Sequence, residues 1–174
     1  LIYTVDDLVD FLEDVADGAA NKNARLMADL DVSDVDWAVV WPTAKANNEF
    51  RGSFNGGSHK IINFRYSEGA NSGAPFGLFR TLGQDAVIRD LTFEHVSVNC
   101  PASDSVGVCA GVLKSITTLS NVRIADGTVT GASNVGGIVG WLTGGTTTNY
   151  AVINNCINFC FIVTTSSICI SSDI

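Results

Sequence analysis

Positive charge is scarce in this chain. Lys and Arg total 10 against 18 Asp and Glu, a net charge of −8 over 174 residues. Nucleic acid is therefore not an expected partner, because neutralising phosphates takes clustered cations. Anionic membrane surfaces are disfavoured for the same reason. No apolar run approaches the roughly 20 residues of a membrane span, so no membrane insertion is expected. No secretory leader is visible either; the chain begins at Leu1 rather than Met and reads as a mature or trimmed product. Charged residues make up only 16% of the chain, against 46% hydrophobic residues and 17 glycines. That balance is the one expected of strands joined by tight turns in a single domain with a core.

The hydrophobic residues are organised as repeats. The pattern apolar-x-Asn/Asp-apolar recurs at Ile61-Ile62-Asn63-Phe64, Ile88-Arg89-Asp90-Leu91, Leu119-Ser120-Asn121-Val122 and Ile153-Asn154-Asn155-Cys156. Between these fall glycine cassettes: Gly77-Leu78-Phe79, Gly111-Val112-Leu113 and Gly137-Ile138-Val139-Gly140. Uneven spacing of fixed motifs fits stacked coils with loops of variable length, an all-β solenoid. Apolar residues one apart place their side chains on one strand face, toward the core. Asn63, Asp90, Asn121 and Asn155 are expected at equivalent places, where side-chain amides can bond from coil to coil.

Residues 4–17 are expected to be a helix. Leu8, Phe11, Leu12 and Val15 form one stripe, Thr4 and Asp7 a weak capping box, and Gly18 a stop. Asp14 and Asp17 oppose the C-terminal dipole by about 0.3–1 kcal/mol each. Burying Leu8, Phe11 and Leu12 at about 1.5–3 kcal/mol each outweighs this, so the helix should cap the open end of the solenoid. Residues 24–32 read as a strand. The chain thus divides into a capping helix and linker (1–23), solenoid repeats (24–158) and an apolar tail without assigned register that is expected to be the last coil (159–174).

Several ordered elements resemble the bacterial GLUG-motif β-solenoid family. In that family a capping helix precedes A-x-L-x-A-D-I-D-L, a Trp-Pro element and F-x-G-x-F-D-G-x-G-H. Here Ala24-Arg25-Leu26-Met27-Ala28-Asp29-Leu30-Asp31-Val32, Trp41-Pro42 and Phe50-Arg51-Gly52-Ser53-Phe54-Asn55-Gly56 stand in that order. Departures are Asn55 for Asp, Ser58 for Gly and Arg80 for a frequent Gly. The resemblance covers residues 1 to about 158. It implies a right-handed parallel β-helix with an N-terminal capping α-helix, on a secreted or cell-surface bacterial protein. Such regions are non-catalytic stalks or adhesin-like modules, and occur beside the catalytic domain of some immunoglobulin-cleaving peptidases. No HExxH motif occurs in this chain.

Candidate sites were weighed against structural roles. Residues 29–36 alternate acidic positions but fail as an EF-hand, since Asp34 stands where glycine is required and Val40 where Glu should be. His59 is expected to bond nearby backbone, and His95 to lie outward beside Glu94 and Asp90. Arg89 and Arg123 are out of register as lyase bases, and Asp126 lacks an evident carboxylate partner. Cys100 and Cys109 flank a polar loop that a disulfide could close; Cys156 occupies an inward apolar slot. No catalytic, cofactor or metal residue is assigned. The expected function is a non-catalytic extracellular scaffold or adhesin-like domain, part of a larger protein, with a protein or glycan as ligand. Trp37, Trp41 and the loop 65–75 are candidate contacts, although the Trp residues could equally be buried at the cap. Alternatives are a head-to-tail fibre subunit, self-associating through its C-terminal coil, and a carbohydrate-active β-helix enzyme.

Overall fold

A computed structural model describes residues 1–42, 49–67, 73–145 and 149–165. Three parallel sheets run along one β-solenoid. The first sheet stacks β3 (Ser53–Asn55), β7 (Val87–Glu94), β10 (Thr118–Ile124) and β13 (Val152–Asn154) on the short β1 (Ala24–Arg25). β2 (Leu30–Asp31) and β4 (Lys60–Ile62) extend it beside β7, and β14 (Ile157–Asn158) beside β10. The second sheet holds β5 (Arg65–Ser67), β8 (Val96–Cys100), β11 (Gly127–Gly131) and β15 (Phe161–Thr164), one strand for each of four turns. The third holds β6 (Phe79–Leu82), β9 (Ala110–Leu113) and β12 (Val139–Leu142).

Parallel register converts the sequence repeats into columns. Phe54, Ile88, Leu119 and Ile153 stack, as do Leu30, Ile61, Phe93 and Ile124, and Tyr66, Val98, Val129 and Ile162. Strand alternation does the rest: Val96, Val98 and Cys100 are buried while Ser97 and Asn99 face out. The core is these columns, with an aromatic layer at its N-terminal end.

That end is closed. Helix α1 (Val5–Ala16) has the capping box, with Asp7 N donating to Thr4 Oγ1 (3.1 Å) and Asp7 Oδ2 accepting from Thr4 N (3.0 Å). It buries Leu8, Phe11, Leu12, Val15 and Ala16. Phe11 packs on Phe50, Phe54 and Phe79. The outer edge of β6 is also satisfied, with Trp41 Nε1 and Phe50 N donating to the Leu78 and Thr81 carbonyls (3.1 and 2.9 Å).

Register and burial correct several expectations. Asn63 is not in the column of Asp90, Asn121 and Asn155. The pairing Asn55 with Arg89 puts Gly56 there, and Ile62 with Glu94 puts Asn63 beside His95 at another corner. Gly111 is not the counterpart of Gly77. Ala110 pairs with Phe79 and Val139, so Gly111 stands with Arg80 and Gly140. Before the strand Phe76 pairs with Val106, so Gly107 is the glycine that stands with Gly77. Glycine is needed at 111 because a Cβ would lie 2.7 Å from Phe76 N. Residues 24–32 are two short strands, β1 and β2, because the chain breaks between them where Leu26 pairs with Ile2. Trp37, in the short helix α2 (Trp37–Val40), and Trp41 are 1% and 2% exposed, so neither is a surface contact. No disulfide joins Cys100 to Cys109, and both residues are buried. The tail runs on as the expected last coil as far as β15, where Ile162 continues the Val129 column. Residues 68–72 of the candidate contact loop lie outside the described residues.

Candidate functional surface

Polar side chains on the rod bond mainly to one another. Asp90, Asn121 and Asn155 have φ of 56°, 55° and 52°, the left-handed conformation that Asn and Asp tolerate best after Gly. Asn121 Nδ2 donates to Asp90 Oδ1 (2.7 Å), and Asn155 Nδ2 donates to Asn121 Oδ1 (2.6 Å). The second corner stacks Asn63, His95 and Asp126, and the Asp31 side chain reaches it from strand β2. Asn63 Nδ2 donates to both Asp31 oxygens (3.0 Å each), and His95 N donates to Asp126 Oδ1 (2.5 Å). The Asn63 amide, with the Ser33 N–H, holds the Asp31 carboxyl below its ordinary pKa.

Both histidines face carboxylates. His59 Nδ1 lies 3.1 Å from Asp29 Oδ1, and His95 Nδ1 lies 3.2 Å from Asp126 Oδ2. The partner of His59 is thus a side chain rather than backbone. His95 sits at a left-handed corner, not on a strand, and faces Asp126 in place of Glu94 or Asp90. Arg89 pairs with Asp90 (3.0 Å), and Arg123 lies 5.0 Å over the Phe159 ring. Neither Arg stands across a groove from a carboxylate pair. The acidic run is likewise occupied: Asp29 also accepts from Lys60 N, Asp31 from Asn63, and Asp36 from Ala38 N as the cap of α2. Among the described residues no three His, Cys, Asp or Glu side chains converge as metal ligands do.

Three features carry no sequence signal. Glu49 accepts from Lys114 and from Arg51 Nη2 (3.0 Å), tying the cap segment to the rod. Burial opposes its charge, but Lys114 and Arg51 outweigh burial and hold its carboxyl below the ordinary range. Lys60 pairs with Glu94 (2.9 Å), which raises the Lys60 pKa. Arg80, read only as a replacement for glycine, is 3% exposed and donates to the Trp41 and Pro42 carbonyls. Each joins residues far apart in the chain, so no local pattern announces it.

The last coil differs from the others. The outward column Arg65, Ser97, Thr128 ends in Phe161, and Ser67, Asn99, Thr130 ends in Val163. Phe159 and Phe161 are 58% and 77% exposed. No charged residue occurs between Asp126 and Asp173. A groove lined by Asp34, Asp36, Arg65 and Tyr66 is, by contrast, open to solvent.

No family model matches the chain. A stretch of the rod is nevertheless similar to halomucin. Halomucin of Haloquadratum walsbyi (strain DSM 16790 / HBSQ001) is 34% identical over 153 residues, 81% of this chain. The chain spans about 2% of the length of that relative. A crystal structure from Bacteroides ovatus, provisionally assigned as an immunoglobulin A1 protease, aligns with 97% of this chain and 78% of its own. Its TM-score is 0.41 at 16% identity, too distant to carry an argument. Among the described residues, no helix is long and apolar enough to cross a membrane.

With its side chains paired in this way, the rod can present surface and hold distance. On the second sheet the outward positions are hydrophilic in the first three coils and apolar in the last.

Proposed function

We propose that this chain is a non-catalytic β-solenoid module of an extracellular surface protein, acting as a rigid scaffold with adhesin-like loops. The observation that carries the reading is the use of polar side chains. The Asp90–Asn121–Asn155 and Asp31–Asn63 ladders and the His–Asp pairs cross-link coils and surround no cavity. Such bonding stiffens a rod and leaves recognition of a protein or glycan to the variable loops. The match to a protein named as a mucin supports an exterior setting. The GLUG-type elements support the same setting. The acidic surface suits a soluble exterior and disfavours nucleic acid.

Antibody raised against the chain tests the location. It should label intact, unpermeabilised source cells, and labelling only after permeabilisation would refute the surface reading. Binding of the chain to arrayed glycans tests the ligand class. Hydrolysis or elimination of an arrayed polysaccharide by the chain would overturn the non-catalytic assignment.

A further inference from the structure

We propose that the outward face of the first sheet binds an extended anionic glycan, a chain of carboxylated sugars laid along the rod axis. The inference rests on the glycan reading above and moves the contact from the loops to a sheet face.

Register assembles the surface. Arg25 pairs with Asn55, Asn55 with Arg89 and Arg89 with Ser120, which makes one column. Lys60 pairs with Thr92 and Thr92 with Arg123, which makes a second column beyond the left-handed corner at Asp90 and Asn121. Phe54, Ile88 and Leu119 beside the first column are buried, as are Ile61, Phe93 and Ile124 beside the second, so strand alternation turns both columns outward. Taken coil by coil, the cations alternate between the columns: Arg25 in the first, Lys60 in the second, Arg89 in the first, Arg123 in the second. Each coil thus supplies one cation, and successive cations climb the rod by about 4.8 Å while crossing from side to side. Unequal stretches of chain separate the four, so sequence spacing hides the order.

Charge and chemistry select the occupant. Arg89 pairs with Asp90, Lys60 with Glu94, and Asp29 beside Lys60 with His59. Arg25 and Arg123 are exposed and pair with no carboxylate among the described residues; Arg123 lies over the Phe159 ring instead. Four cations against these three acids leave the face at +1, whereas the other 6 cations and 15 acids leave the rest of the chain at −9. An anion is therefore directed here. A guanidinium fork matches a carboxylate. The uncharged positions between the cations are Asn55, Thr92 and Ser120, whose amide and hydroxyl groups suit sugar hydroxyls. An extended uronate chain advances about as far per sugar as this rod does per coil, and its successive carboxylates turn to opposite sides, as the cations do. Nucleic acid fits poorly. No aromatic side chain stands in either column across these coils to stack a base, and duplex DNA carries one charge per about 1.7 Å, far denser than one cation per coil.

Titration calorimetry of the 174-residue chain with polymannuronate, and with uncharged mannan of the same linkage, tests this directly. The expected result is binding of polymannuronate alone, weakening as NaCl rises from about 0.05 to about 0.5 M. Arg25→Gln and Arg123→Gln should each weaken it about tenfold, the loss of one charge-assisted hydrogen bond, with the circular dichroism unchanged. Arg65→Gln, exposed on the second sheet, should leave binding as it was. Equal losses in all three variants would show a response to net charge instead of this face and overturn the proposal. Equal affinity for polyglutamate or single-stranded DNA would overturn the glycan assignment. Binding of mannan, or of polymannuronate without loss in the Arg25 and Arg123 variants, would overturn the face while leaving glycan recognition to the loops. Binding of neither polymer would overturn it as well, and the glycan array then decides the broader reading on its own.

Discussion

Phe11→Ala should detach the closing helix from the rod. Phe11 is 7% exposed, and its ring centroid lies 5.8, 5.7 and 6.5 Å from those of Phe50, Phe54 and Phe79. Those three rings belong to the cap segment, the first sheet and the third sheet, so one side chain joins the helix to all of them. Truncating a buried Phe costs about 3–5 kcal/mol, transfer and cavity together. The upper half of that range applies, because aromatic pairs add about 0.5–1.5 kcal/mol beyond area. Set against a total stability of about 5–15 kcal/mol, the loss is large. With a urea m-value near 2 kcal/mol/M, the midpoint should fall by about 2 M. Val39→Ala, at a side chain 63% exposed, is the control and should change stability by no more than about 0.5 kcal/mol. A solenoid is held by nearest-neighbour contacts, so hydrogen exchange at Leu8–Ala16 should accelerate before exchange in β7 or β10. A loss below about 1 kcal/mol, with α1 amides still protected, would refute the reading of this helix as a docked cap.

At the corner ladder, Asn121→Ala should cost about 2 kcal/mol and Asn121→Gly about 1, since both lose the bonds to Asp90 and Asn155 but glycine accepts the positive φ. Chemical denaturation decides it, and a glycine variant no better than alanine would sink the left-handed corner argument. Glu49 has a depressed folded pKa, so its stabilisation is complete above the unfolded value of about 4.3 and is lost as pH falls through the folded value. The urea midpoint of the native chain should therefore drop more between pH 6 and pH 3 than that of Glu49→Gln; equal drops would remove Glu49 as a contributor. The crowded acids of the first 36 residues repel one another, so melting temperature should rise from 0.05 to 1 M NaCl as screening shortens. A fall with salt would mean that the ion pairs Lys60–Glu94 and Glu49–Lys114 outweigh that repulsion.

What could be read from the sequence was whatever is encoded within one coil. The stripe, capping box and glycine stop of α1 are local, and the structure shows each. Strand alternation and the Asp90–Asn121–Asn155 column are nearly as local. Asn63 was misplaced because apolar-x-Asn-apolar marks any left-handed corner, and each coil has several: Asn63 and His95 form one, Asp85 and Ile116 another. Only strand pairing tells them apart. Gly111 is misplaced for a related reason: Gly107-Val108-Cys109 and Gly111-Val112-Leu113 fit the same Gly-apolar-apolar motif, and only the pairing of Phe76 with Val106 shows that Gly107 stands beside Gly77. The Trp residues, Arg80 and Glu49 are settled by what lies across the cap, which composition and spacing do not record. The polar outer columns, by contrast, become apolar only in the coil that the sequence pattern left without a register.

The rod is therefore graded along its axis. At the N-terminal end every layer is covered: Leu12 and Val15 are fully buried, and the edge carbonyls of Leu78 and Thr81 have donors. Through the middle, each coil has two neighbours, and the columns at Ile88, Leu119, Phe93 and Ile124 exclude water completely. In the last coil the same columns hold Ile153, half exposed, and Asn158 opposite Ile124, where an amide replaces an aliphatic side chain. Asn158 is satisfied locally, its Oδ1 accepting from Cys160 N (3.2 Å). A layer that ends in such a residue has exchanged burial for a hydrogen bond worth about 1 kcal/mol. Among the described residues this coil stacks on one neighbour, and from that contact it gains roughly half the interface energy of an internal coil.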